Sequence, residues 1–149
     1  MKKKRLKTIE FMRMSSDIVK STKMGWVGFF DGACPSPGYT SIGALLQRDN
    51  LRIDTISERT GVGTSNEAEY RALLALLGSA IKHQAFNLLI CGDSMLVLMQ
   101  VAGYWKIKAE HLRSYCNDAQ RRLKELPGAR LAWIPREHNE LADALSRQV

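Results

Sequence analysis

The sequence lacks the features that mark membrane and secreted proteins. No apolar run reaches the length of about 18 residues that a membrane-spanning helix needs. The basic start MKKKRLKTIEFMRM is not followed by the apolar stretch of a signal peptide. We therefore expect neither a membrane span nor secretion.

Cysteine is also scarce, and its spacing excludes common roles. The three cysteines, Cys34, Cys91 and Cys116, are odd in number and far apart, and no C-x-x-C pair occurs. A zinc site of the paired-cysteine type is therefore not expected. Free thiols in a reducing compartment fit this usage, and we expect a cytoplasmic protein.

Positive charge is concentrated at one end of the 149 residues. Residues 1–24 contain eight basic and two acidic residues, so this segment carries +6 of the formal net charge of +7. Such a segment favours polyanions, because binding releases their condensed counterions. A tail that only aids solubility would have the same composition. We divide the chain into a basic N-terminal extension, 1–24, and one domain, 25–149.

The rest of the chain alternates apolar strands with helical patterns. We predict strands at 26–30, 42–47, 51–58, 86–91 and 130–134. We predict helices at 68–81, 95–101, 109–126 and 141–147. Three strands come first and β–α units follow. This order predicts an α/β protein with a mixed sheet, a hairpin edge and helices on its faces.

Two aspartates follow predicted strands. Asp31 comes directly after the strand at 26–30, and Asp93 follows the strand at 86–91 and Gly92. In α/β folds the carboxyl ends of strands commonly form sites, because a side chain there points into a crevice while its strand stays rigid. Each aspartate could instead cap the next loop or helix.

Two glutamates stand two residues apart in GTSNEAEY (63–70), at the start of the strongest helical pattern. Thr64 and Glu67 match the capping box, in which each side chain accepts a hydrogen bond from the backbone of the other residue. Glu69 has no such explanation, because it is rotated by about 200° from Glu67 on a helix and faces a largely apolar side. A carboxylate buried there needs a partner, and a metal ion would be one.

A fourth acid, Asp143, lies within the last predicted helix, in NELADALSR. Aspartate is a poor residue for a helix interior, so either the helix dipole or a functional role would explain it. If Asp31, Glu69, Asp93 and Asp143 converge, they cannot all stay ionised unless cations hold them. Carboxylate oxygens suit magnesium, and two such ions can promote in-line phosphoryl displacement.

Four motifs connect these acids to a known family. FFDGAC, TSNEAEY, ICGDSMLV and WIPREHNELADALS span nearly all of residues 26–148, and their combination is highly specific. The sequence resembles type 1 ribonuclease H, in particular its compact bacterial and archaeal members. The resemblance implies a ribonuclease H-like fold: a five-stranded mixed sheet, with three antiparallel strands first and parallel β–α units after them, flanked by helices.

The resemblance also implies roles for single residues. The acids Asp31, Glu69, Asp93 and Asp143 would hold two Mg²⁺ ions, with Mn²⁺ as an alternative. Asn66 matches an asparagine that contacts the RNA strand and its 2′-hydroxyls, and Thr64 matches a threonine that holds a DNA-strand phosphate. The other residues with an implied role are Gly32 and Cys34 beside the RNA, Asn139 in the substrate-binding set, and His138, which would assist metal exchange or product release. An exposed loop histidine is the alternative interpretation of His138.

One departure from the family concerns substrate contact. The basic protrusion of the longer members is replaced here by GYWKIK (103–108). Trp105, Lys106 and Lys108 could take over its contact with the DNA backbone, or they could be a core tryptophan and solvated lysines. The basic extension could add affinity as well.

The resemblance implies a metal-dependent endoribonuclease that hydrolyses the RNA strand of RNA–DNA hybrids and leaves 3′-hydroxyl and 5′-phosphate ends. Cleavage of double-stranded RNA stays open, and we expect a monomer with no membrane partner. A non-catalytic nucleic-acid-binding module on the same fold is the main alternative, and the presence of all four acids argues against it. A different nuclease of the superfamily, such as an exonuclease or a transposase core, would lack the TSNEAEY segment.

Overall fold

A six-stranded mixed β-sheet lies at the centre of the computed structural model, which describes residues 10–13, 24–36 and 38–149. The strands are β1 (Glu10–Arg13), β2 (Trp26–Ser36), β3 (Tyr39–Arg48), β4 (Leu51–Val62), β5 (Leu89–Gly92) and β6 (Arg130–Trp133). Their order across the sheet is β1-β6-β5-β2-β3-β4. β2, β3 and β4 pair antiparallel, whereas β5, β6 and β1 join in parallel. Within this sheet, the predicted five-stranded arrangement from β2 to β6 is confirmed.

Among the described residues, four α-helices flank the sheet. They are α1 (Ser65–Lys82), α2 (Met95–Ala102), α3 (Arg113–Leu123) and α4 (Glu140–Ser146). Short 3-10 helices at Glu110–Leu112 and Arg136–His138 precede α3 and α4. From residue 26 onward, the order of strands and α-helices is the predicted one. Within the part of the chain that the structure describes, no helix is both long and apolar enough to cross a membrane.

The first strand was not predicted. Glu10–Arg13 pairs in parallel with β6, in the register Glu10 to Arg130 and Arg13 to Trp133. The sheet therefore gains a sixth strand from a segment that the sequence pattern assigns to the basic extension. Apart from this strand and Met24, the predicted extension 1–24 lies outside the described residues.

The hairpin of β2 and β3 is longer than predicted. The Gly-, Pro- and Ser-rich stretch after Asp31, which lies between the predicted strands at 26–30 and 42–47, continues β2 to Ser36 and begins β3 at Tyr39. Gly38 turns the chain with φ 85°, a left-handed conformation that favours glycine. Turn-forming residues therefore occupy strand positions here, because pairing between β2 and β3 outweighs their local preference.

The larger part of the core lies between the sheet and helices α1, α2 and α3. On α1, Leu73, Leu76, Leu77 and Ala80 recur at helical spacing and are completely buried. Burying one leucine side chain stabilises the fold by roughly 1.5–3 kcal/mol, so this row fixes α1 firmly on the sheet. A smaller apolar cluster lies on the opposite face and consists of Val27, Leu89, Cys91, Ala132 and Ile134, with Phe29 packed against it.

Two glycines let helices approach the strands closely, one on each face. A Cβ atom at Gly32 would lie 2.2 Å from the carbonyl carbon of Ala68, at the start of α1. A Cβ atom at Gly43 would lie 2.4 Å from the backbone nitrogen of Ser146, in α4. Ser41 and Ser57 then donate hydrogen bonds of 2.5 Å to carbonyls at the end of α4. The sequence thereby brings the acid-bearing parts of α1 and α4 against the middle of the sheet.

Candidate active site

Asp31 and Asp93 lie side by side where one strand ends against another. The parallel pairing of β2 with β5 stops at Phe30 and Gly92, so Asp31 and Asp93 are the next residues on the two strands. The prediction that the first strand ends at Asp31 is wrong, because β2 continues along β3 to Ser36. The carboxyl end of β5 nevertheless creates the crevice that the strand-end argument requires.

The two glutamates of GTSNEAEY make different contacts. Thr64 Oγ1 accepts from the backbone N–H of Glu67 at 3.1 Å, and Glu67 Oε1 accepts from the backbone N–H of Thr64 at 3.0 Å. This capping box confirms the structural role of Glu67. Glu69 points toward the sheet instead, where its Oε1 accepts from the backbone N–H of Gly32 at 2.5 Å. The close contact at Gly32 therefore places the Glu69 carboxylate next to Asp31.

Three of the predicted acids form one compact group. Asp31, Glu69 and Asp93 each offer a carboxylate oxygen, and these oxygens all lie within 4.8 Å of one another. Asp31 is buried, and the other two are half-buried. Three oxygen ligands at this spacing suit a hard divalent cation. The residues present therefore fit the metal that the family resemblance implies.

The raised pKa values of the three acids also favour a bound cation. Burial, followed by the charge of Asp93, raises the pKa of Asp31 from 3.8 to about 7. Burial, followed by the charge of Asp31, raises the pKa of Glu69 from 4.5 to about 9. Burial also raises the pKa of Asp93, although a hydrogen bond from Asn139 opposes that shift. Ionised carboxylates are therefore disfavoured in this group unless positive charge joins them.

Asp143 lies beside the group rather than inside it. It approaches Asp31 closely enough that its side chain contributes to the raised pKa of Asp31. One of its oxygens accepts from Arg147 Nε at 3.0 Å, four residues further on and directly after the end of α4. The four predicted acids thus converge on one region, with Asp143 held by an arginine at the edge.

Asn139 does not have the position predicted for a substrate contact. Its side chain is buried and donates to the carbonyl oxygen of Phe30 at 2.9 Å and to Asp93 Oδ2 at 3.3 Å. The carbonyl oxygen of Asp93 also accepts from Trp133 Nε1 at 3.1 Å. Trp133 at the end of β6 therefore holds the main chain of Asp93, and Asn139 before α4 holds its side chain.

A groove lies at the start of α1. It has a volume of about 560 Å³ and lies between the start of α1, α2 and the segment before α3. Its lining includes four residues of the predicted substrate-binding set: Asn66, Trp105, Lys106 and Lys108. Trp105 is 45% exposed, so it is not the core tryptophan of the alternative interpretation. Asn66 lies one helical turn before Glu69, so this one lining residue connects the groove with a carboxylate of the group.

The other predicted residues lie elsewhere around this region. Thr64 is exposed at the start of α1, and the half-buried Cys34 contacts the carbonyl oxygen of Gly63 through its sulfur at 3.9 Å. His138 is exposed at the end of a 3-10 helix, just before Asn139. These positions leave their predicted roles as predictions.

Sequence reasoning missed several residues around the site. Gln100 and Tyr104 line the groove, and Gln100 Oε1 accepts from the buried hydroxyl of Tyr70 at 2.7 Å. Arg71 ties α1 to β3 by donating to Thr40 Oγ1 at 2.8 Å. The four-residue spacing of Arg147 from Asp143 is a signal that the sequence does contain. The contacts of Gln100 and Arg71 join distant segments and leave no local signal.

Solved structures of ribonuclease H domains share this fold. RNase H1 from the halophilic archaeon Halobacterium salinarum NRC-1 superposes with a TM-score of 0.77 and 30% identity, over 83% of this chain and 95% of that one. The N-terminal ribonuclease H domain of Rv2228c from Mycobacterium tuberculosis gives 0.78 and 30%, over 85% and 98%. The fold and its carboxylate group therefore place the chain in the ribonuclease H-like class.

Sequence comparisons identify the family within this class. A family model described as "Reverse transcriptase-like" matches residues 29–149. The bifunctional protein Rv2228c of M. tuberculosis is 32% identical over 117 residues, which are 77% of this chain and 32% of that protein. Ribonuclease HI of H. salinarum is 33% identical over 122 residues, 80% of this chain and 61% of that protein. The chain belongs to the type 1 ribonuclease H family, and it spans about a third to three fifths of the length of these two relatives.

Proposed function

We propose that this chain is a metal-dependent endoribonuclease that hydrolyses the RNA strand of RNA–DNA hybrids. The observation that carries the proposal is the meeting of Asp31, Glu69 and Asp93 within 4.8 Å. A groove lined by lysine and aromatic side chains, with Asn66 at the start of α1 among its lining residues, supports it. A non-catalytic binding module has no need to keep buried carboxylates whose ionisation the fold disfavours.

The chain's own residues hold and orient the reacting groups. Asp31, Glu69 and Asp93 would bind Mg²⁺, with Asp143 as the fourth acid for a second ion and with Mn²⁺ as an alternative. Ions held there would supply activation of a water molecule and stabilisation of the leaving 3′ oxygen. The N–H of Gly32 fixes Glu69, and Asn139 fixes Asp93, so these two carboxylates are oriented before substrate arrives.

The groove would bind the duplex. LC11-RNase H1, whose structure contains an RNA/DNA hybrid, is 25% identical to this chain with a TM-score of 0.76, over 83% of this chain and 95% of that one. By that likeness Asn66 would contact the minor-groove face of the RNA, where the 2′-hydroxyl distinguishes RNA from DNA. Trp105, Lys106 and Lys108 would contact the DNA strand, and Thr64 would hold one of its phosphates.

Several finer points belong to the same proposal. Cleavage would leave 3′-hydroxyl and 5′-phosphate ends, with double-stranded RNA as a further candidate substrate. The backbone of Gly32 and Cys34 would lie beside the RNA, and His138 would assist metal exchange or product release from the edge of the site. The enzyme would act as a monomer in the cytoplasm, and its three free thiols are in keeping with a reducing compartment.

One assay tests the proposal directly. Labelled RNA–DNA, RNA–RNA and DNA–DNA duplexes are incubated with the protein, with Mg²⁺ or with EDTA. We expect cleavage of the RNA strand of the hybrid in Mg²⁺ alone, and none of the DNA duplex. Binding of the hybrid without cleavage, in Mg²⁺ and in Mn²⁺, would support the non-catalytic module instead.

The Asp93→Asn variant sharpens the assay. It keeps the shape of the side chain and removes a charge that a cation needs. We expect its cleavage to be nearly abolished while its affinity for the hybrid, measured by fluorescence anisotropy, is retained. Full activity in this variant would refute the assigned site.

A further inference from the structure

Asn139 stands out among the buried polar side chains, because it touches the acid group without being a carboxylate. It is 1% exposed and lies between the 3-10 helix at Arg136–His138 and α4. Its position excludes direct contact with a duplex lying on the surface. Its function must therefore be carried out through the groups it contacts inside the protein.

Those contacts reach three acid-bearing elements at once. The Asn139 amide nitrogen donates to the carbonyl oxygen of Phe30, the residue before Asp31, at 2.9 Å. The same nitrogen donates to Asp93 Oδ2 at 3.3 Å. The backbone carbonyl of Asn139 accepts from the N–H of Asp143 at 3.0 Å. One residue thus joins β2, the end of β5 and the start of α4, next to Asp31, Asp93 and Asp143 respectively.

The orientation of the amide follows from its partners. Both the Phe30 carbonyl and the Asp93 carboxylate are acceptors, so the NH₂ group must face them and the amide oxygen must face away. That oxygen, Oδ1, is buried and has no hydrogen-bond partner among the described residues. Leaving a buried acceptor without a donor costs about 1–3 kcal/mol. The contribution of Asn139 therefore lies in its NH₂ group, which contacts both Phe30 and Asp93.

We propose that Asn139 is a positioning residue, whose amide holds the Asp93 carboxylate in the orientation that binds a divalent cation. The inference deepens the function proposed above and rests on it. It differs from the role that the family resemblance implies for Asn139, which is direct substrate contact. The two roles predict opposite effects on metal affinity and on KM, so they can be separated by experiment.

The test compares Asn139→Ala with Asn66→Ala, which changes an exposed asparagine of the groove. Mn²⁺ binding is measured by calorimetry with the metal alone, and kcat and KM are measured on the hybrid. Loss of a group that orients a metal ligand typically weakens metal binding about 10- to 100-fold. We expect Asn139→Ala to show that loss and a reduced kcat, with KM changed by less than about twofold. Asn66→Ala should raise KM and leave Mn²⁺ affinity unchanged.

A raised KM with wild-type Mn²⁺ affinity in Asn139→Ala would overturn the inference in favour of substrate contact. Unchanged values for all three quantities would overturn it too. Because Mn²⁺ binding is measured without nucleic acid, this arm decides the inference even if the wild-type protein cleaves no hybrid, a result that would refute the proposed function instead.

Two further measurements cover the case in which Asn139→Ala fails to fold by circular dichroism. Asn139→Ser keeps a small donor, and we expect the same loss of Mn²⁺ affinity to a lesser degree. In the wild-type protein, a Mg²⁺ titration followed by ¹H–¹⁵N NMR should shift the side-chain amide signals of Asn139 and leave those of Asn66 in place. Amide signals of Asn139 that do not respond to Mg²⁺ would contradict the proposal.

Discussion

The carboxylate group and the groove differ in how the chain forms them. Asp31, Glu69 and Asp93 come from two strands and a helix, and each is placed by contacts between distant segments. The groove is formed mainly by one stretch, residues 96–112, with Asn66 added from α1. The carboxylates are oriented before any ligand arrives, whereas most groove side chains are exposed. Changes at the acids should therefore affect kcat and stability, and changes in the groove should affect KM.

The largest expected effect separates the two glutamates of α1. Glu69→Gln removes a charge from the carboxylate group, and we expect kcat to fall on the order of a thousandfold, a loss typical for a group that stabilises charge in the transition state. Glu67→Gln is the matched control, because glutamine also completes a capping box. Its kcat should stay within about threefold of wild type. Similar losses in both variants would show that the helix start, rather than the acid, matters.

The second effect concerns the close packing that delivers Glu69. Gly32→Ala would place a methyl group against the backbone of α1, and such overpacking costs about 1–3 kcal/mol or more of the free energy of unfolding. Gly78→Ala lies within α1 and meets only the Arg122 side chain at 3.5 Å, so it should stabilise the fold by roughly 0.5–1 kcal/mol. Urea unfolding measures both. If Gly32→Ala left the free energy of unfolding unchanged, α1 would be able to move away from β2 without cost.

The third effect is the pH dependence of the metal-free protein. Asp31 and Glu69 have pKa values of about 7 and about 9 in the folded state, above their ordinary values of 3.8 and 4.5. The folded state therefore binds protons more tightly, and this contribution to stability is complete below about pH 4 and is lost as pH rises toward 9. For each proton held only by the folded state, the free energy of unfolding falls by about 1.4 kcal/mol per pH unit.

Urea unfolding at pH 5, 7 and 9 in EDTA should show that decline, and Mg²⁺ should stabilise the protein more at pH 9 than at pH 5. Asp31→Asn is the control, since it removes one titrating carboxylate and should flatten the profile. Stability that rises between pH 5 and pH 9 in EDTA would contradict the burial of these acids.

The smallest effect lies in the groove. Lys106→Gln with Lys108→Gln should raise KM for the hybrid about 5- to 10-fold at unchanged kcat, because exposed cations contribute binding and no chemistry. The slope of log affinity against log salt should fall by up to about two, at slightly under one for each phosphate that the protein no longer neutralises. Lys124→Gln, at the end of α3, is the control and should leave both quantities unchanged. An unaltered slope in the double variant would place the duplex elsewhere.

Local sequence patterns suffice to predict the parts of the molecule that local chemistry controls. The capping box at Thr64 and Glu67, the apolar row on α1 and the order of strands and helices from residue 26 all follow from spacing and propensity. Glu69 could be singled out because a carboxylate on an apolar helix face is costly without a partner. The rule that sites form at the carboxyl ends of strands applied to Asp31 and Asp93 alone, and the meeting of all four acids was implied by the family resemblance.

Long-range contacts explain what could not be predicted. β1 is only four residues long, and its partner β6 begins 120 positions further along the chain. Asn139 reaches Phe30 and Asp93 across 109 and 46 positions, so nothing in its neighbourhood indicates that it faces inward. The extension of β2 beyond Asp31 depends on pairing with β3, which outweighs the turn preference of Gly and Pro. For β1 and Asn139 the decisive partner is remote in sequence, whereas β2 and β3 are neighbours whose pairing overrides a local turn signal.

The raised pKa values of Asp31 and Glu69 mean that these carboxylates carry bound protons that can be measured. At neutral pH the metal-free carboxylate group retains hydrogen ions on the oxygens that a divalent ion would occupy. Capture of the ion must then discharge those hydrogen ions into the solution. In a weakly buffered sample, the fall in pH on adding the metal would measure how many protons its binding releases. A carboxylic acid band in the infrared spectrum would disappear as the site fills.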